Sequence, residues 1–241
     1  MDLKHSPQAA FHQASRADCL RDWYSGPQGL GVHRALRRQL QIFCRPRFGD
    51  AWLEVGPLSL LRAEWTGPAQ TLHADPQSQT LRAQAGFLPL SAETFSCVLL
   101  AHALGDANDS SAIIAEAARV MAPEGHLFVL ESGHCNASRR RGLRSALPLG
   151  LRRRKLRLLL EAAGLGVRRQ VALTVLPAGL PAGWHRRLTN FDATVSPWLP
   201  LLGSCVLTVA RRRDLSPIAP AASRLRWSRG ALRAGGTSQW A

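Results

Sequence analysis

Two kinds of apolar pattern alternate along this chain, and their order sets the expected fold. Leu30, His33, Leu36, Leu40 and Phe43 recur at helical spacing, which predicts a lead-in helix after a turn at Gly26-Pro27. "DAWLEVG" reads as a first strand. "LSLLRAEW" then reads as a helix, with Pro57 suited to its first turn, where a missing N–H removes no bond. "QTLHADP" is a short strand ending at Asp75, and "TLRAQAGFLPL" holds a weaker third strand before a loop at Leu88-Pro89. "TFSCVLLAHAL" carries the densest run, with Phe95, Val98, Leu99 and Leu100, as in a strand buried on both faces. "SSAIIAEAARVMAPEG" is an amphipathic helix with Ser110 or Ser111 at its start and Pro123 to Gly125 at its stop. "HLFVLES" is a further strand, "LRRRKLRLLLEAAG" a helix ending at Gly164, and "RRQVALTVL" and "SCVLTVARRR" the last two strands. Strand and helix alternate, so the expected class is α/β with a doubly wound, mostly parallel sheet and right-handed crossovers. Ligands in such sheets sit at the carboxyl ends of the strands, so functional residues are expected just after Val55, Leu72, Leu100 and Leu130.

Composition adds a charge question. The 241 residues carry a formal net charge of +15, and almost every basic residue is arginine; Lys4 and Lys155 are the lysines. From Arg139 to Arg169 the single acid is Glu161, and a second basic block runs from Arg211 to the end, whereas Ala51 to Glu131 is closer to balance. The expected organisation is a mobile N-terminus over 1–17, one domain over 18–213 and a basic, disordered tail over 214–241. Such a charge attracts nucleic acid and acidic surfaces. Arginine on solvated helix faces in an arginine-biased composition explains the clusters equally well, and few aromatic residues interleave with them for base stacking. The five cysteines are scattered, with no C-x-x-C pair, so neither a disulfide framework nor a metal site is expected. No apolar run reaches the roughly 18 residues of a membrane span. "MDLKHSPQAAFHQAS" lacks the apolar centre of a secretion signal, which makes the cytoplasm the expected location.

One segment carries more specific information. "LPLSAETFSCVLLAHALGDANDSSAIIAEAARVMAPEGHLFVLES" resembles the class I S-adenosylmethionine-dependent methyltransferases, in particular their type 11 branch. The matching positions are Leu88-Pro89-Leu90, Phe95, His102-Ala103-Leu104, Glu116, Arg119-Val120-Met121 and Pro123-Glu124-Gly125. "AAGLGV" over 162–167 is similar to the family's entry to its last two strands, so the resemblance covers about residues 20 to 212. It implies a Rossmann-like, seven-stranded sheet with the last strand antiparallel, and S-adenosyl-L-methionine as cofactor at the ends of the first four strands.

The resemblance also implies site residues. In "AWLEVGPLSLL" Glu54 and Gly56 stand at the acid and first glycine of the family's acid-x-Gly-x-Gly-x-Gly loop, whereas Leu58 replaces the second glycine and the third is missing. Asp75, about twenty residues after Glu54, falls where a carboxylate accepts from both ribose hydroxyls, a spacing that suits one βαβ step. Gln84 stands where the family faces the adenine amino group, and Phe87 and Leu88 would cover the ring. Ser96 replaces the family's Asp. Ala101 and His102 follow the fourth strand of that layout, at the mouth of the site. Methyl transfer from a sulfonium is an in-line displacement that needs positioning first, and a base when the acceptor must lose a proton. His102 is the candidate for that base, and Glu131 and His134 are placed to touch an acceptor. The expected function is transfer of a methyl group to a small-molecule or nucleic-acid acceptor. The alternative is a degenerate, inactive methyltransferase fold that binds RNA or another acidic partner through Arg139–Arg141, Arg152–Arg154 and the tail.

Overall fold

The computed structural model describes residues 17–61, 63–76, 78–104, 109–133, 151–174 and 205–213. Residues 1–16 of the expected N-terminal arm (1–17), Arg139–Arg141, His134 and the tail lie outside the described residues. Residue 17 itself already belongs to a helix, α1, over 17–25. Helix α2 (Pro27–Phe43) follows at once, with Gly26 as its N-cap and Pro27 in its first turn. The junction is tight: a Cβ at Gly29 would stand 2.2 Å from the Tyr24 carbonyl oxygen. Glycine there lets the last turn of α1 fold onto the first turn of α2.

The remaining elements are β1 (Ala51–Val55), α3 (Ala63–Thr66), β2 (Gln70–Ala74), β3 (Phe95–Ala101), α4 (Ser110–Val120), β4 (Met121–Ser132), α5 (Arg153–Ala162), β5 (Leu165–Thr174) and β6 (Cys205–Arg212). They form one sheet of order β2-β1-β3-β4-β6-β5. β2, β1, β3 and β4 pair in parallel, and β6 runs antiparallel between β4 and β5. The doubly wound α/β class and the antiparallel last strand are as the sequence indicates.

Two expectations are corrected. The sheet has six strands among the described residues, not seven, because "TLRAQAGF" contributes only isolated bridges, Ala74 to Leu81 and Gln84 to Phe87. Side-chain competition explains this: Ser78 Oγ and Thr80 Oγ1 both donate to the His73 carbonyl, and the Asp75 carbonyl accepts from Ser78 and Ala83 N–H. These local bonds hold the segment in turns rather than a ladder. The helix expected over "LSLLRAEW" is likewise reduced to the single turn of α3.

Alternation along the strands sorts the core into two layers. Trp52, Cys97, Leu99, Phe128, Leu130, Leu207 and Val209 meet α1 and α2 through Leu20, Tyr24, Val32, Leu36 and Leu40. Leu53, Val55, Val98, Leu100, Leu127 and Val129 meet α4 and α5 through Ile113, Ile114, Ala117, Leu156 and Leu160. The central strands β3 and β4 are therefore buried on both faces, which is why they read as unbroken apolar runs. Among the described residues no helix is long and apolar enough to cross a membrane.

Candidate functional site

The carboxyl ends of β1, β2 and β3 converge on Gly56. Its φ is +141°, and a Cβ there would stand 2.1 Å from the Ala101 carbonyl oxygen. Its N–H donates to the Ala74 carbonyl at 3.2 Å. Its own carbonyl accepts from His73 Nε2–H at 2.9 Å. One residue thus ties three strand ends together, and only a residue without Cβ fits. His73 was not singled out from the sequence; its role depends on strand pairing, and a histidine two residues before Asp75 is the faint signal of it.

Glu54 is fully buried on the α2 side of β1. Its Oε1 accepts from Leu60 N–H at 2.7 Å and its Oε2 from Leu61 N–H at 2.9 Å. Burial pushes the carboxyl up to about 7, against the pull of those two donors. This is why the helix after β1 starts late: the acid captures the backbone of residues 60 and 61 ahead of any helical turn. Leu58, Leu60 and Leu61 are buried in the α2-side core. Leu58, expected at the position of the family's second glycine, therefore packs inward.

Asp75 stands just past β2, half-buried, and its main chain braces the loop to Leu81 and Ala83. Gln84 is exposed, and Phe87 is 78% exposed with its N–H bound to the Gln84 carbonyl. The family-type pair Glu116 and Arg119 holds this segment in place. Glu116 Oε1 accepts from Leu88 N–H, Arg119 donates to the Leu88 carbonyl, and the two charges bond each other at 2.7 and 2.8 Å. The hydrogen bonds from Arg119 keep the Glu116 carboxyl below the usual range.

His102 is buried, with φ +54° and its N–H donating to the Leu130 carbonyl. A non-glycine residue in that region is uncommon and is often found at functional positions. Its Nε2 lies 2.7 Å from Tyr24 Oη. The Tyr24 hydroxyl also lies 3.8 Å from Cys205 Sγ. Burial, then Cys205, raises the Tyr24 phenol well above its usual range, and burial pushes the Cys205 thiol up to about 12. Both stay protonated at neutral pH. Nearby, Glu131 Oε1 accepts from Leu104 N–H at 3.0 Å. Tyr24 also meets Trp23, His33 and His102 edge-on, at 4.8, 5.5 and 5.6 Å. Helix α1 thereby brings to His102 a partner that no local pattern reveals.

Replacing Tyr24 by Phe should lower stability by about 1–2 kcal/mol, since a buried polar partner of His102 is lost while the ring is kept. Urea unfolding of the two proteins measures this; equal midpoints would contradict it. Among the described residues no group of three or more His, Cys, Asp or Glu side chains is arranged to hold a metal ion.

Comparison with known proteins agrees with this layout. Residues 62–129 match the family model described as a methyltransferase domain, of type 11. No curated protein matches the chain in sequence. Among solved structures, one similar chain is the methyltransferase of Haloferax volcanii in complex with the Trm112 methyltransferase activator. It is 18% identical over 80% of this chain and 96% of that one, with a TM-score of 0.54. An S-adenosylmethionine-dependent methyltransferase from Methanosarcina mazei is 14% identical over 72% of this chain and 96% of that one, with a TM-score of 0.51. At such identities the likeness establishes the fold. The resemblance carried by residues 88–125 is borne out at the level of the match over 62–129 and of the fold, which is the class I, Rossmann-like one of these neighbours.

Proposed function

We propose that this chain is an S-adenosylmethionine-dependent methyltransferase acting in the cytoplasm on a small-molecule or nucleic-acid acceptor. The observation that carries the reading is the convergence of Gly56, Asp75 and Ala101-His102 at adjacent strand ends. The residues suit the cofactor at its adenosine end. Asp75 would take the two ribose hydroxyls, Gln84 the adenine amino group, and exposed Phe87 would lie over the ring. Gly56 and the Ala101 backbone would border the methionine part, with Glu54 shaping the turn from behind. The bound cofactor supplies an electrophilic methyl group on a sulfonium. His102, held by Tyr24, would take a proton from an acceptor that must lose one. A protein activator, such as the one bound to the Haloferax neighbour, is a further partner within this proposal.

A second reading has its own support. Arg152, Arg154, Arg168 and Arg169 are exposed, and three leucines of the cofactor loop are buried in the core. In that reading the fold has given up catalysis and binds RNA or another acidic partner.

Calorimetric titration with S-adenosylmethionine and S-adenosylhomocysteine separates the two. Micromolar binding is expected, weakened at least about a hundredfold by Asp75→Ala, because each of the two hydrogen bonds to the charged carboxylate contributes about 1.5–3 kcal/mol. A folded protein that binds neither ligand at millimolar concentration would overturn the enzyme reading. RNA binding that falls steeply with salt would then establish the second.

A further inference from the structure

A second cluster lies at the opposite end of the sheet from the cofactor residues. Cys97 and His126 are direct register partners on β3 and β4, so their side chains leave the sheet on one face. That face is the one covered by α2, whose last turn delivers Cys44 onto it. Cys44 and Cys97 share that core, and Cys44 lies within interaction range of both the Cys97 thiol and the His126 imidazole. Phe43, next to Cys44, packs its ring 5.9 Å from His126 and 6.3 Å from Phe128, which fixes the imidazole beside the thiols. Cys97 is about 13 Å from Ala101 along β3, at roughly 3.3 Å per residue. The cluster is therefore separate from the candidate methyl-transfer site.

We propose that Cys44, Cys97 and His126 form a redox-active dithiol site that a hydroperoxide converts to a Cys44–Cys97 disulfide. Accessibility differs between the two thiols: Cys44 is 8% exposed and Cys97 fully buried. Cys44 is thus the thiol that a small oxidant meets first, and Cys97 is the one that resolves the product. Interaction with the Cys97 thiol holds the Cys44 thiol below its ordinary range, and His126 acts in the same direction. Burial raises Cys97. That asymmetry suits an attacking and a resolving thiol.

In the first step the Cys44 thiolate attacks one oxygen of hydrogen peroxide. An S–O bond forms, the O–O bond breaks, and hydroxide leaves and is protonated to water, giving a sulfenic acid. Cys97 then passes its proton to His126 and attacks the sulfenic sulfur. The S–S bond forms, the S–O bond breaks, and the second hydroxide leaves as water with the proton from His126. Two thiols are oxidised by two electrons, and one peroxide is reduced to two waters. The disulfide would close a loop containing β1, the glycine turn and β2, so the oxidised domain should also melt at a higher temperature.

The test uses the reduced, full-length chain with a small excess of hydrogen peroxide, then alkylation, digestion and mass spectrometry. The expected result is an intact mass lower by two hydrogens and a cross-linked Cys44–Cys97 peptide pair. Cys19, exposed on α1, should still alkylate. In Cys97→Ser, the Cys44 sulfenic acid should accumulate and be trapped by dimedone; should that variant not fold, the wild-type peptide map decides alone. Cys44 and Cys97 both recovered alkylated, Cys44 carried to sulfinic acid with Cys97 free, or a cross-link to any other cysteine would each overturn the proposal.

Discussion

Gly56→Ala should destabilise the domain by roughly 2–6 kcal/mol. Two separate effects add. The backbone conformation at φ +141° is nearly exclusive to glycine, and a side chain forced into it costs about 1–3 kcal/mol. The new Cβ would also stand 2.1 Å from the Ala101 carbonyl oxygen and 3.0 Å from its carbon. Those are main-chain atoms of a central strand, so relief requires β1 and β3 to shift, at about 1–3 kcal/mol more. Against a whole-domain stability of 5–15 kcal/mol this takes a large share. Gly31→Ala is the matched control. Gly31 lies within α2, and a Cβ there meets nothing within 4 Å. That change should stabilise by about 0.5–1 kcal/mol through helix propensity. Urea unfolding midpoints for the three proteins measure both. A Gly56→Ala protein as stable as the parent would mean that the strand ends are not locked together as described.

Much of this architecture was legible in the sequence because it rests on local pattern. The double-faced strands around Val98–Leu100 and Leu127–Leu130 are continuous apolar runs, and burial on both sides leaves no other pattern. Glu116 and Arg119 were readable as motif residues. The structure adds their physical task, which is to clamp Leu88 from both its N–H and its carbonyl.

What stayed hidden was decided by contacts between distant segments. Tyr24 reaches His102 across 78 residues, and helix periodicity near residue 24 carries no sign of that bond. The third strand was lost to side-chain bonds from Ser78 and Thr80 that compete with ladder pairing. The helix after β1 was lost to Glu54, whose two oxygens claim the Leu60 and Leu61 N–H groups. Propensity favours helix over "LSLLRAEW", but a buried acid needs donors more than the loop needs a first turn. The loop residues between Gly56 and Leu61 were read as a cofactor motif with missing glycines. Their burial pattern, with Leu58, Leu60 and Leu61 inward and Ser59 exposed, is a core-packing feature that only the tertiary structure supplies.

Glu54 should make stability fall as pH rises, the reverse of what a salt-bridged carboxylate of lowered pKa does. Its carboxyl lies at about 7 in the folded protein against 4.5 for an ordinary glutamate, burial being the dominant cause. Between those two values the folded state holds a proton that the unfolded chain releases. The slope of unfolding free energy with pH follows the protons bound by the unfolded state minus those bound by the folded state. It is therefore negative here. The stabilising contribution is fully present below about pH 4.5 and is lost progressively as pH rises through about 7. At 1.36 kcal/mol per unit, the difference across the window is about 3 kcal/mol. Glu54→Gln removes the titration and keeps an acceptor oxygen for one of the two N–H donors, so the variant should show a flatter stability profile between pH 5 and 8. Glu54→Leu is different in kind. It leaves both the Leu60 and Leu61 N–H groups buried without their acceptor, at about 1–3 kcal/mol each, so it should be destabilised by roughly 2–6 kcal/mol at pH 5, where the native carboxyl is mostly neutral. Urea unfolding of the parent and both variants at several pH values provides the measurement. If the parent and Glu54→Gln profiles run parallel, the carboxyl is not titrating in the folded protein. If Glu54→Leu matches Glu54→Gln at every pH, the acid is not what holds the turn behind Gly56.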